Sequence, residues 1–126
     1  MINRFETPND FSIKKALLNG RILVEHRNLR EVAQGGTEIG RLLINGKSIS
    51  NDFFGGPYLY DDSHLYLSKY TKRFLNTGFI LCKVDLENLT VNEISVQKNL
   101  IYLSKIEGDK IYYYEDINKN KFNFFY

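Results

Sequence analysis

Residues 53–95 read FFGGPYLYDDSHLYLSKYTKRFLNTGFILCKVDLENLTVNEIS, and this run decides the fold. Residues 57–60 are aromatic, residues 65–70 alternate Leu65 and Leu67 against Tyr66 and Ser68, residues 79–84 are a buried-type run, apolar but for Lys83, and residues 90–94 form a fourth β-type segment. Period-two alternation with β-branched and aromatic enrichment predicts strands. The separators are turn chemistry. Asp61-Asp62-Ser63 and Asp85-Leu86-Glu87-Asn88 carry side chains that bond nearby backbone, while residues 69–77 form a longer polar connection with Lys72 and Arg73. Together they predict an antiparallel meander with Leu65, Leu67, Phe79 and Leu81 in the core. Gly55-Gly56-Pro57 is expected to break the chain just before it, because two permissive residues precede one without an N–H.

Upstream, Asn45-Gly46 between residues 38–44 and 47–50 predicts a hairpin whose turn needs positive φ at both central residues. Residues 11–28 allow two readings. Ile13, Ala16 and Leu17 have helical spacing with Asp10 as N-cap; alternatively Asn19-Gly20 is a type I′ turn joining residues 12–18 to residues 21–26, and the turn cue favours this hairpin. Residues 28–34 fit one or two helical turns stopped by Gly35-Gly36, and residues 1–10 a loosely held arm. Downstream, turns at residues 107–109 and 116–120 divide three more strands, residues 100–106, 110–114 and 121–126, which adds Ile101 and Leu103 to the expected core. Residues 65–69 and 101–105 repeat aliphatic-Tyr-Leu-Ser-Lys, a spacing that suggests propeller-like blades. The expectation is one all-β domain over residues 1–126, with antiparallel meanders in a partial propeller-like stack or a β-sandwich and at most two short helices.

Composition narrows function. The chain has 126 residues, 43% of them hydrophobic, with nine Tyr, nine Phe, no Trp and a net charge of +2. Such a length suits a single core. Residues 1–63 hold eight basic and eight acidic side chains and residues 64–126 nine and seven, so neither half is a polyanion-binding surface. A single cysteine, Cys82, excludes an intramolecular disulfide and a cysteine-rich metal site and suits a reducing cytoplasm. No apolar run reaches a membrane span, and the first residues lack the apolar region of a signal peptide. The high Lys, Asn, Ile, Tyr and Phe content, with little Ala or Arg, is typical of an AT-rich bacterial genome.

Catalytic chemistry finds little support. His26 and His64 are the only histidines, and a ribonuclease would need both in one cleft. Ser68-Lys69 and Ser104-Lys105 are adjacent on strands, where neighbours point to opposite faces, so neither lysine activates its serine. Cys82 reads as core; the glycine pairs lack the ending of a phosphate loop, and the acids lack a calcium-loop pattern, so no metal and no cofactor are expected. What stands out is tyrosine beside carboxylate. Tyr58, Tyr60, Asp61 and Asp62, and again Tyr112, Tyr114, Glu115 and Asp116, have the composition of a protein interface, with aromatic area for affinity and acids to choose a basic partner.

Size, composition and the FGGPYLYDD, HLYLSKY and FILCKVDL texture of residues 53–95 resemble the immunity proteins that accompany polymorphic and contact-dependent growth-inhibition toxins. The resemblance implies a non-enzymatic cytoplasmic inhibitor, monomeric outside its complex, that binds a cognate toxin domain, usually a nuclease, and blocks its active site. It implies no direct contact with nucleic acid or membrane. A small RNA-binding or RNA-cleaving β-domain is the alternative.

Overall fold

The structure is a computed structural model that describes residues 3–5, 14–31, 38–73, 76–116 and 118–125. Eleven strands run in the order β1 (Asn3–Phe5), β2 (Lys14–Leu17), β3 (Ile22–Glu31), β4 (Glu38–Ile44), β5 (Lys47–Tyr60), β6 (His64–Arg73), β7 (Asn76–Asp85), β8 (Val91–Glu93), β9 (Tyr102–Glu107), β10 (Lys110–Tyr114) and β11 (Phe122–Phe125). The all-β expectation holds, and among the described residues there is no helix. Residues 14–17 and 28–31, where short helices were allowed, lie in β2 and β3; the remainder of both stretches lies outside the described residues. Every ladder is antiparallel. Strands β2 to β8 form a meander in sequence order, β1 joins it against β5, and β9 to β11 form a separate three-stranded sheet.

The turns set the meander. At Asn45 and Gly46 φ is 52° and 81°, the two left-handed positions that only this dipeptide type adopts cheaply. The Asn45 side chain also accepts the Leu23 N–H at 2.8 Å, which ties this turn to β3. The first hairpin has the register centred on Asn19-Gly20, with Leu17 opposite Ile22, but Leu18 also takes a positive φ and the connection covers four residues. Two expected breaks are not breaks. Residues 69–73 and 76–77 continue β6 and β7 as one long ladder, and β5 runs straight through Gly55-Gly56-Pro57. Between Gly55 and Leu59 the register with β6 shifts by two residues, so a bulge absorbs the glycines, and the Ser68 hydroxyl donates to the Gly55 carbonyl at 3.0 Å. The Gly56–Pro57 peptide is cis. The described part of the N-terminal arm is also anchored, since Asn3 to Phe5 pair with Tyr60 to Tyr58.

The long β5 bends the large sheet. β4 pairs with its first half and β1 with its second along the same edge, while β6 takes the other edge. The sheet curls without closing into a barrel. Leu17, Val24, Leu42, Ile44, Phe54, Leu65, Leu67, Ile80 and Val84, drawn from six strands of one sheet, meet in a single cluster on the concave side. A second cluster, Ile39, Leu59, Tyr66, Phe79, Leu81, Ile101, Leu103, Ile111 and Tyr113, fills the space between the convex side and the small sheet. All six residues expected in the core are buried, but they divide between two cores, Leu65 and Leu67 in the first and the other four in the second. The strands split eight and three, so the echoed pentapeptides fall in different sheets and no four-stranded repeat is formed.

Candidate functional site: an aromatic face on the small sheet

The small sheet buries one side only. Ile111 and Tyr113 on β10 point inward, where Tyr113 stacks on Phe125 with ring centroids 4.4 Å apart. Alternation therefore turns Lys110, Tyr112 and Tyr114 outward. The register places Tyr102, Tyr114 and Phe122 in one row across the three strands and Lys105, Tyr112 and Phe124 in the next; Glu107 and Lys110 begin a third. A register shift between Tyr112 and Tyr113 leaves Ser104 as the extra residue of β9, which lets Tyr102 and Lys105 share the outer face.

Five rings thus form a platform. Tyr112 lies parallel to Phe122 at 5.3 Å, and Phe122 meets Tyr114 at 4.9 Å while Tyr112 meets Phe124 at 5.8 Å. Phe122 and Phe124 are 49% and 37% exposed, among the few large apolar side chains that face solvent among the described residues. Cations stand over the rings. Lys105 lies 5.3 Å from the Tyr112 centroid, Lys110 4.7 Å from Phe124, and Lys119 and Arg4 5.1 and 5.6 Å from Tyr102. Each is within the range at which a ring quadrupole attracts a cation. Lys105 also pairs with Glu107 at 2.9 Å, and that hydrogen bond and charge hold its pKa above the ordinary lysine value. Arg4 reaches the sheet from β1, where its Nε donates to the Leu103 carbonyl at 3.0 Å.

The sequence-expected interface residues scatter against this geometry. Tyr112 and Tyr114 are on the platform, and Glu115 is half-buried beside it. Tyr58 is a correction: it is fully buried, stacked on His26 with its hydroxyl on the imidazole Nε2, and can touch no partner. Tyr60, two residues on and so on the same face, packs against the concave cluster. Asp61 accepts the Ser63 and His64 N–H groups at 2.8 Å each, and Asp116 accepts those of Asn120 and Lys121 at 2.9 Å. Both carboxylates close turns. Asp62 is exposed, and its carbonyl receives the Arg21 guanidinium. It borders an open cleft of about 600 Å³ lined also by Asn45, His64, Asp85 and Glu87, away from the small sheet. In that cleft the backbone N–H groups of Asn88 and Glu87 hold the Asp85 carboxyl below its ordinary value.

The residues with catalytic potential are dispersed. His26 is buried against Tyr58, and desolvation lowers its pKa to about 4. His64 sits in the cleft, 3.8 Å from Asp61. Ser68 bonds Gly55, while Lys69 pairs with Glu93. Cys82 is fully buried, its thiol pushed up to about 12 by burial. Phe122, Phe124, Tyr102 and the lysines of the platform were missed by sequence reading; the alternation in Phe122-Asn123-Phe124 was the available signal for two of them. Comparison of the chain with protein-family models, with curated proteins and with solved structures found no match.

Proposed function

We propose that this chain is an immunity protein that acts in the bacterial cytoplasm by binding a cognate toxin domain, without catalysis, and that the aromatic face of β9, β10 and β11 is its docking surface. The observation that carries the reading is the pair of cross-strand rows, five rings turned to solvent on a sheet whose other side already fills a core. Exposed aromatic clusters of this kind mark interaction sites, because rings supply large contact area at low cost in side-chain entropy. The resemblance in residues 53–95 supports the class of partner, and the platform supports the choice of surface.

Dimensions support a binding centre. Three strands and three rows cover roughly 10 Å by 14 Å of backbone, against roughly 800 Å² buried per partner in a standard interface. The platform therefore serves as the group of anchors inside a larger contact. A second reading, stacking of single-stranded RNA, is favoured by the same rings and lysines.

The test is co-production with the product of the open reading frame adjacent to this one, which should be toxic alone; it is the toxin domain of the outcomes that follow. The two proteins should co-elute and growth should be restored, whereas Tyr112→Ala with Phe122→Ala should weaken binding about thirtyfold or more and leave the thermal midpoint nearly unchanged. A folded double variant that protects cells and binds like the wild type would remove the platform from the interface. Tight, ring-dependent binding of a ten-nucleotide oligouridylate, with no binding of the toxin domain, would select the RNA reading.

A further inference from the structure

We infer that the partner docks on the small sheet by strand addition, an extended segment of its chain pairing with the outer edge of β11 so that its side chains continue the aromatic rows; this rests on the reading of the platform as the docking face. The phase of β11 carries it. The Glu115 N–H donates to the Lys121 carbonyl at 2.8 Å, so the next hydrogen-bonded positions of this ladder are Asn123 and Phe125, and Phe122 and Phe124 turn their backbone N–H and C=O groups away from β10. The Phe124 N–H agrees with this phase, since it donates to the Asn123 side chain at 2.8 Å and not to β10. That donor is occupied. Phe122, whose backbone groups face the same way, is therefore where an incoming strand begins to pair.

The edge carries none of the devices that keep strands apart. Phe122-Asn123-Phe124-Phe125 holds no proline and no charged side chain, and its pairing with β10 runs without a bulge. No strand among the described residues pairs with its outer side. The opposite edge of the same sheet is closed, because Arg4 donates to the Leu103 carbonyl of β9 and Leu103 packs with Leu59 of β5 in the second cluster. Exposure rises toward β11. Tyr112 and Tyr114 on the central strand are half-buried, whereas Phe122 and Phe124 are 49% and 37% exposed, where the two rows of the platform end without a fourth member. Backbone groups at strand spacing are matched by an extended polypeptide, and aromatic or β-branched residues directly across from Phe122 and Phe124 gain cross-strand contacts. The occupant is thus a strand of the toxin domain with such residues at alternate positions.

The test compares Phe122→Pro with Phe122→Ala in binding the product of the adjacent open reading frame, together with amide hydrogen exchange of the wild type free and bound. Both variants lose the ring, but only proline also removes the outward N–H, and at that position it leaves the ladder to β10 intact. Phe122→Ala should weaken binding about tenfold and Phe122→Pro about tenfold more, the loss of one hydrogen bond. The Phe122 amide of the wild type should exchange at least about tenfold more slowly in the complex. Thermal midpoints close to that of the wild type establish that both variants are folded; if Phe122→Pro is not, the exchange result decides alone. If the two variants bind equally, or the Phe122 amide exchanges at the same rate free and bound, strand addition is overturned, while an effect of Phe122→Ala keeps the platform reading. If neither variant matters and the amide is unprotected, both are overturned. A wild-type dimer formed without the partner and lost in Phe122→Pro gives the edge to a second copy and overturns the inference.

Discussion

The tyrosines of β6 and β10 show what separates the two sheets. On β6 of the large sheet, Tyr66 is buried on the convex side while Leu65 and Leu67 fill the concave side, so both faces of the strand are structural. On β10 of the small sheet, Tyr113 is 1% exposed while Tyr112 on the next position faces solvent. Aromatic residues in a sheet covered on both sides are fixed by packing. In a sheet covered on one side, half of them face solvent, and the proposed docking surface rests on this difference.

The comparison can be broken at several points. The largest effect should come from Tyr113→Ala, which removes a buried ring stacked on Phe125 and should cost about 3 to 5 kcal/mol in urea denaturation. A loss under 1 kcal/mol would mean that the small sheet is not held through its inner face. Next, Leu67→Ala and Leu103→Ala should each cost about 2 to 5 kcal/mol. Because one lies in the concave cluster and the other in the convex one, their double variant should equal the sum within about 0.5 kcal/mol. Strong non-additivity would show that the two cores act as one.

The buried imidazole gives a third handle. The His26 pKa is lowered in the folded state from 6.5 to about 4, so between those values the unfolded chain binds more protons. This contribution is fully present above pH 6.5 and is lost as pH falls toward 4, a change of about 3 kcal/mol at roughly 1.4 kcal/mol per pH unit. Unfolding measured from pH 7.5 to 4 should show a shallower acid slope for His26→Phe than for wild type; equal slopes would place the acid sensitivity elsewhere. Smaller again, Gly78→Ala should cost about 1 to 3 kcal/mol, since an added methyl collides with the Lys98 carbonyl oxygen where the 97–98 segment crosses β7. The smallest effect on stability should be Tyr112→Ala, under about 1 kcal/mol, and a larger loss would make the platform a structural element.

Legibility followed local chemistry. Asn45-Gly46 announces its turn because few other dipeptides adopt two positive φ angles, and the Asp61 and Asp85 turns were readable from side chains that bond the next few N–H groups. β5 was not readable as one strand. Gly55-Gly56-Pro57 ordinarily ends a strand, and here a bulge paired across to β6 carries the strand through it, a long-range event that local sequence does not encode. Nor could Tyr58 be phased, because an apolar run buried on both faces shows no alternation to read. The platform was half legible. The Tyr112 and Tyr114 alternation lies on one strand, whereas the partners of that strand depend on a turn and a bulge that set which rings share a row, and Arg4 arrives from 99 residues away in sequence.

Cys82 gives the molecule a built-in clock. At a thiol pKa of about 12, the reactive thiolate amounts to roughly one part in ten thousand at pH 8, and the sulfur lies in the concave cluster between β6 and β7 with no exposed surface. Alkylation must therefore wait for the β6–β7 ladder to open. Its rate under native conditions should report the opening free energy of the β6–β7 ladder, and a bound partner on the small sheet should slow it only to the extent that both sheets unfold as one cooperative unit.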